Sequence, residues 1–179
     1  MSYNSKDNEQ KNSLKKVLRD NGIPVVDYVE EMHPGEAIAE FIRRSINENN
    51  FTINLISRNS LLSAWVAEEA LLSLNYQEVR GQGYVPCLLD ATIFDANFVD
   101  EARQELSNDL AKIRQSMIKR LEQKLPISDI YERFTLLTQL RNNLENLIGK
   151  LRSIGCRDLT KPGEAQKLAE DLLKMARNK

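Results

Sequence analysis

An α/β protein with a parallel sheet of four or five strands, continued by a helical extension, is the fold class that three observations in the sequence predict. Up to about residue 95, short apolar runs alternate with segments whose apolar residues recur at helical spacing. Beyond 95 only three-and-four spacing remains. Charge divides near the same place: residues 1–97 carry 9 Lys and Arg against 14 Asp and Glu, whereas residues 98–179 carry 16 against 12. Strands that alternate with helices through short loops build parallel sheets with right-handed crossovers. In such open sheets ligands sit at the carboxyl ends of the strands. The expected organisation is an α/β domain over 1–95 and a helical region over 96–179, the latter a helical hairpin plus a terminal helix.

Each element has its own signal. Leu14, Val17 and Leu18 share a helical face in a polar segment that stops at Asn21-Gly22, a helix-end signature. Ile23, Val25, Val26, Tyr28 and Val29 form a β-branched run predicted as a strand, interrupted by Asp27. Ile38, Phe41, Ile42 and Ile46 make the next helix face, FTINLIS (51–57) the next strand, and 61–74 the next helix. After the Gly81-Gln82-Gly83 turn, YVPCLL (84–89) reads as a further strand. Ala102, Leu106, Leu110, Ile113, Met117 and Leu121 then step by three or four until Pro126 ends the helix. Ser128 is the expected N-cap of a second long helix through Phe134, Leu137, Leu140, Leu144, Leu147 and Leu151, stopped at Gly155. An amphipathic helix over about 163–177 follows Pro162, and no further strand is expected after residue 98.

Composition excludes several classes. A net charge of -1 lacks the basic excess of a typical nucleic-acid binder, so no nucleic-acid partner is expected. Cys87, Cys156 and the single His33 are too few for a Cys/His zinc site or a disulfide scaffold. The polar first 22 residues hold no signal-peptide core, and no run approaches ~18 apolar residues. The expectation is a cytoplasmic protein with no membrane partner, its thiols reduced.

Four motifs, in order, carry a resemblance. Ser2-Tyr3-Asn4-Ser5-Lys6-Asp7 is similar to the strand-to-loop opening of Toll/interleukin-1 receptor (TIR) domains, here with a first strand of about three residues. Met32-His33-Pro34-Gly35-Glu36, after Asp27, resembles the BB loop of that family with its Pro-Gly turn. Leu55-Ile56-Ser57-Arg58-Asn59-Ser60 followed by Trp65-Val66-Ala67-Glu68-Glu69 resembles its third strand and the helix bearing a Trp and a Glu. Val85-Pro86-Cys87-Leu88-Leu89 resembles its fourth strand. The resemblance covers about residues 1–95 and implies a flavodoxin-like TIR domain whose fifth strand and last helix are replaced by the helical region.

It also implies two alternative activities. Some TIR domains are adaptors that act through contacts with other TIR domains; others cleave NAD+ between nicotinamide and ribose, and some cyclise the product. The enzymes carry a carboxylate on the third helix, and Glu69 fills that position. Nicotinamide leaves a cationic pyridinium as a neutral amide, so its departure needs no general acid. A single anion against the oxocarbenium-like ribose is the main requirement. At ~100° per residue from Trp65, Leu62 falls near +60°, Leu72 near -20° and Glu69 near +40°, whereas Glu68 falls near -60°. Glu69 thus lies within the inward stripe, where an unpaired carboxylate is unusual for a merely structural residue. The site expected from the resemblance is Glu69 as catalytic residue, with Tyr3, Asn4, Ser5, His33, Pro34, Gly35 and Trp65 around the substrate. NAD+ is the substrate, and no metal or separate cofactor is expected. A homo-oligomer assembled through the BB loop and the C-terminal helices is expected, in immune or cell-death signalling such as bacterial antiphage defence.

Overall fold

Ser2 opens the sheet. In the computed structural model, which describes residues 1–27, 31–34, 36, 38–63 and 83–177, its backbone N–H donates to the Ile53 carbonyl at 2.8 Å, and the Leu55 N–H donates to the Ser2 carbonyl at 2.9 Å. The expected first strand is thus a single parallel bridge. Beside it runs β1 (Phe51–Ile56), a Phe/Thr/Ile-rich segment that pairs parallel with β2 (Gly83–Leu88) from Phe51↔Gly83 to Ile56↔Leu88. On the far side of β2 lies β3 (Arg157–Asp158), parallel and paired with Cys87 and Leu88.

Three expectations change here. The described sheet has three strands in the order β1-β2-β3, fewer than four or five. The region after 98 does contribute a strand, β3, and so completes the sheet instead of only following it. Its two residues are both charged and show no alternation. Pairing with β2, about 70 positions away, defines it, and ion pairs from Arg157 to Glu164 and Asp171 tie it to the helix that follows. Residues 23–27 form no strand. Pro24 offers no N–H, and what the neighbouring chain end brings to this run is the Met1 amine, bonded to the Val26 carbonyl at 2.9 Å. Tyr28 and Val29 lie outside the described residues.

Helices cover both faces. α1 (Asn8–Asp20) ends at Asn21, followed by Gly22 at φ +76°. It presents Leu14 and Leu18 to Tyr3, Ile53, Leu55 and Cys87 on one side of the sheet. The terminal helix α6 (Glu164–Arg177) shares that face through Leu168, Ala169 and Leu172, so the last helix packs beside the first. Preceding β1 in the chain, α2 (Ile38–Glu48) buries Phe41 and Ile46 against Val26 and Met32. The four-residue α3 (Arg58–Leu61) is the described beginning of the segment leading to the expected 61–74 helix, of which residues 64–74 lie outside the described residues.

The opposite face carries the helical hairpin, α4 (Phe98–Glu122) and α5 (Ser128–Ile154). Ser128 is already helical. Ile127 holds the N-cap position without a side-chain bond, and its carbonyl accepts from the Tyr131 N–H at 2.8 Å. Phe98, Ala102, Leu106 and Leu110 meet Leu137, Leu140, Leu144, Leu147 and Leu151, and the pair rests on Ile56, Tyr84, Leu88 and Ile93. Leu140 and Leu147 are 2% and 0% exposed, inside this intramolecular core. Changing both to Asp is therefore expected to unfold the chain, since truncating one such leucine costs about 2–5 kcal/mol and an unpaired buried carboxylate adds to that. Circular dichroism should show the loss at every protein concentration. A folded double variant would contradict the packing.

Candidate functional site

The carboxyl end of β1 delivers Ser57, whose extended backbone turns the chain into α3. Its hydroxyl accepts from the Ser60 N–H at 3.1 Å, while the Ser60 hydroxyl accepts from the Ser57 N–H at 2.8 Å, a reciprocal cap that fixes the turn. The Ser57 hydroxyl also donates to the buried Asp7 carboxylate at 2.7 Å. Asp7 closes the 3-10 turn Ser5–Asp7, where the Asn4 side chain accepts from the Lys6 N–H at 3.0 Å and donates to the Asn59 carbonyl at 3.1 Å. Two loops leaving adjacent strands are thereby tied at the sheet end where ligands bind in open α/β folds. Asn4 is half-buried and Ser5 exposed, so both present polar groups at that end. Ser57→Ala removes the cap and the hydroxyl donor to Asp7; a loss of about 2 kcal/mol is expected in urea unfolding. A loss under about 0.5 kcal/mol would show that the tie is dispensable.

Tyr3 points the other way. Its side chain is buried among Leu14, Leu18 and Ile53, with its hydroxyl 3.4 Å from Asp27 Oδ1. Asp27 is 2% exposed and takes Lys11 Nζ at 2.8 Å and Lys15 Nζ at 3.2 Å, both on Oδ2. The Lys11 ammonium lies 4.8 Å from the centre of the Tyr3 ring. Two buried cations and one carboxylate thus gather at the Tyr3 side chain, two residues before the Ser5–Asp7 turn.

His33 and Pro34 are exposed on a turn whose Glu36 is clamped by Arg44. The Arg44 Nε and Nη2 donate to the two Glu36 oxygens at 2.9 Å each, and the His33 N–H donates to Glu36 at 3.0 Å. That fork, with the backbone donor, holds the Glu36 carboxyl down at about 2. Gly35, Trp65 and Glu69 lie outside the described residues, as does Glu68.

On the other flank, Arg58 reaches Glu101 at 3.2 Å and Glu105 at 3.1 Å and lies 5.6 Å over the Phe98 ring. It borders a cleft of about 180 Å³ with Thr92, Asn97 and Phe98. Among the described residues no group of three or more His, Cys, Asp or Glu side chains could hold a metal ion. Burial pushes the Cys87 thiol up to about 12 and that of Cys156 to about 11, so neither is a ready nucleophile. No helix of the described residues is long and apolar enough to cross a membrane.

Reading single residues missed Asp7, Ser57 and Ser60 as the tie between loops, because it spans 50 positions. The Lys11–Lys15–Asp27 cluster did leave a signal. Lys11, Leu14, Lys15 and Leu18 share one helical stripe, and Asp27 interrupts an apolar run. A family model described as TIR domain matches residues 1–121. Neither the curated proteins nor the solved structures compared with the chain include a match.

Proposed function

The chain belongs to the TIR domain family, and from that premise we propose that it is a cytoplasmic NAD+ hydrolase, active as an assembly, with Glu69 as the catalytic carboxylate. Signalling roles and NAD+ cleavage both occur in the family. The observation that carries the enzymatic reading is the tie between the Tyr3–Asp7 turn and the Ser57–Ser60 cap. It braces the carboxyl ends of neighbouring strands, and the chain then runs from Leu61 toward Trp65 and Glu69.

The chemistry needs little else. The bond between ribose C1′ and the pyridinium nitrogen breaks with its electron pair going to nicotinamide, and the Glu69 carboxylate stabilises the cationic ribose that remains. Water adds at C1′ and gives up a proton, leaving ADP-ribose; attack by a nucleophile of the same molecule gives a cyclic product instead. Asn4 and Ser5 offer hydrogen bonds to ribose or phosphate, while Tyr3, turned to Asp27, supports them from beneath. Trp65, His33, Pro34 and Gly35 are the further residues this reading assigns to substrate binding. NAD+ is substrate and not cofactor. In this reading the biological role is immune or cell-death signalling, such as defence against phage.

The exposure of His33 and Pro34 favours a second reading, a non-catalytic TIR adaptor docking other TIR domains through that turn. Nicotinamide release by the purified chain, followed over a range of protein concentrations, separates the two. The enzyme is expected to release it at a rate per molecule that rises with concentration. No release at any concentration, from a chain that still self-associates, would support the adaptor.

A further inference from the structure

The hairpin runs past its own core. Burial along α4 ends at Leu110 and along α5 begins at Leu137, yet apolar residues continue to the tip. Ile118, Leu121, Leu125 and Tyr131 are 51%, 57%, 49% and 58% exposed, four of the six large hydrophobic side chains so exposed among the described residues. Just behind them a cleft of about 270 Å³ opens between the helices, where Leu110, Ala111 and Phe134 share the lining with Ser107, Arg114, Thr138 and Arg141.

Tip and cleft share one face. At ~100° per residue from Leu110, Arg114 lies near +40°, Ile118 near +80°, Leu121 near +20° and Ala111 near +100°. From Leu137, Phe134 lies near +60°, Arg141 near +40° and Tyr131 near +120°, and in an antiparallel pair these flanks coincide. Glu105, near -140°, pairs with Arg58 of the body, so the shared face is turned away from the sheet. Ala111 and Ile118 are ~10 Å apart along the helix.

We propose that this outer face is where two copies of the chain pair, the apolar tip of one hairpin seated in the cleft of the other about a two-fold axis. It deepens the reading of the protein as an assembly and rests on that reading. A face bearing both an apolar projection and a hollow that offers Leu110, Ala111 and Phe134 between polar residues can be self-complementary in the way an isologous contact requires. One charge pair fits this arrangement. Arg114 and Arg141 flank the cleft with no carboxylate partner among the described residues, and exposed Glu122 at the tip has no ion pair among them. The axis brings Glu122 of one copy toward Arg141 of the other. Lys112, Arg114, Lys119, Arg120, Lys124 and Arg133 nevertheless outnumber Glu122, Asp129 and Glu132 over 112–133, so two tips repel at long range. Added salt therefore tightens this pairing, whereas it would loosen binding to an anionic surface.

Sedimentation equilibrium of the full chain at low and high salt tests the proposal, with Leu121→Glu altering the tip and Ala111→Trp filling the cleft. Both positions are exposed, and circular dichroism verifies that each variant stays folded. The wild type is expected to dimerise more tightly at high salt, and each variant to weaken the dimer at least tenfold. Mixing the two variants should restore part of the affinity, because the mixed pair keeps one intact tip in one intact cleft. A monomeric wild type, an unchanged dimer in the Leu121→Glu variant, or a mixture no tighter than its components would overturn the proposal. So would a monomer captured by phosphatidylcholine/phosphatidylserine vesicles, released by salt and lost in Leu121→Glu, which would assign the tip to a lipid surface. Dimerisation is read without NAD+, so a catalytically silent dimer would count against the enzymatic reading alone.

Discussion

Replacing Glu69 with Ala is expected to lower NAD+ cleavage by about 10²–10³-fold in kcat while leaving the melting temperature within a few degrees of wild type. The expectation follows from a reaction that builds positive charge on ribose while its leaving group is already activated. One well-placed anion then supplies most of what the protein must add. Glu68 is the internal control. It has the same charge and neighbourhood in sequence but, at the helical spacing the sequence predicts, falls about 100° from Glu69, on the flank of the expected inward stripe. Glu68→Ala should keep most of the activity, and Glu69→Gln should fail like Glu69→Ala because it preserves shape without charge. Equal losses at 68 and 69, or full turnover in Glu69→Ala, would remove Glu69 from the mechanism.

Asp27→Ala is expected to lower stability by about 3–5 kcal/mol in urea unfolding. The carboxylate is 2% exposed and accepts from both Lys11 and Lys15, so its removal takes this anion away from two buried ammonium groups, that of Lys11 lying 4.8 Å from the centre of the Tyr3 ring. The comparison that isolates this cause replaces all three together, Lys11→Met, Lys15→Met and Asp27→Leu. An apolar set of similar volume is expected to fold about as stably as wild type, since the original ions are costly to bury. If Asp27→Ala cost less than about 1 kcal/mol, the cluster would have to be solvated and its closeness to the Tyr3 turn incidental.

The elements that could be read in advance are those whose cause is local. The stripe Leu14–Leu18, the Asn21-Gly22 stop and the long apolar repeats of α4 and α5 specify their helices from neighbours three or four positions away. β1 and β2 were likewise legible as apolar runs bounded by turn residues. β3 was not, because Arg157 and Asp158 are strand residues only by virtue of Cys87 and Leu88 beside them. The run Ile23–Asp27 misled for the converse reason. Its composition suits a strand, but a strand needs a ladder, and Pro24 and the single bridge at Ser2 do not supply one. At the site, residue types at the strand ends were legible, whereas the Asp7–Ser57 tie belongs to no local pattern.

The lateness of β3 has a consequence for how the chain folds. Leu88 and Asp158 pair across about 70 positions, and closing a flexible loop of that length has a substantial entropic cost. Most of the intervening chain, however, is a hairpin whose contacts are local and form quickly. Once it has formed, Phe98 and Ile154 stand near one another at its base, and only short connections remain between β2 and β3. The hairpin thereby acts as a splint that converts a distant encounter into a near one. On a ribosome, β2 keeps an open edge and α1 a bare apolar flank until residues 157–177 emerge. A chain cut after residue 121 would retain the whole family-matched segment and still lack both covers.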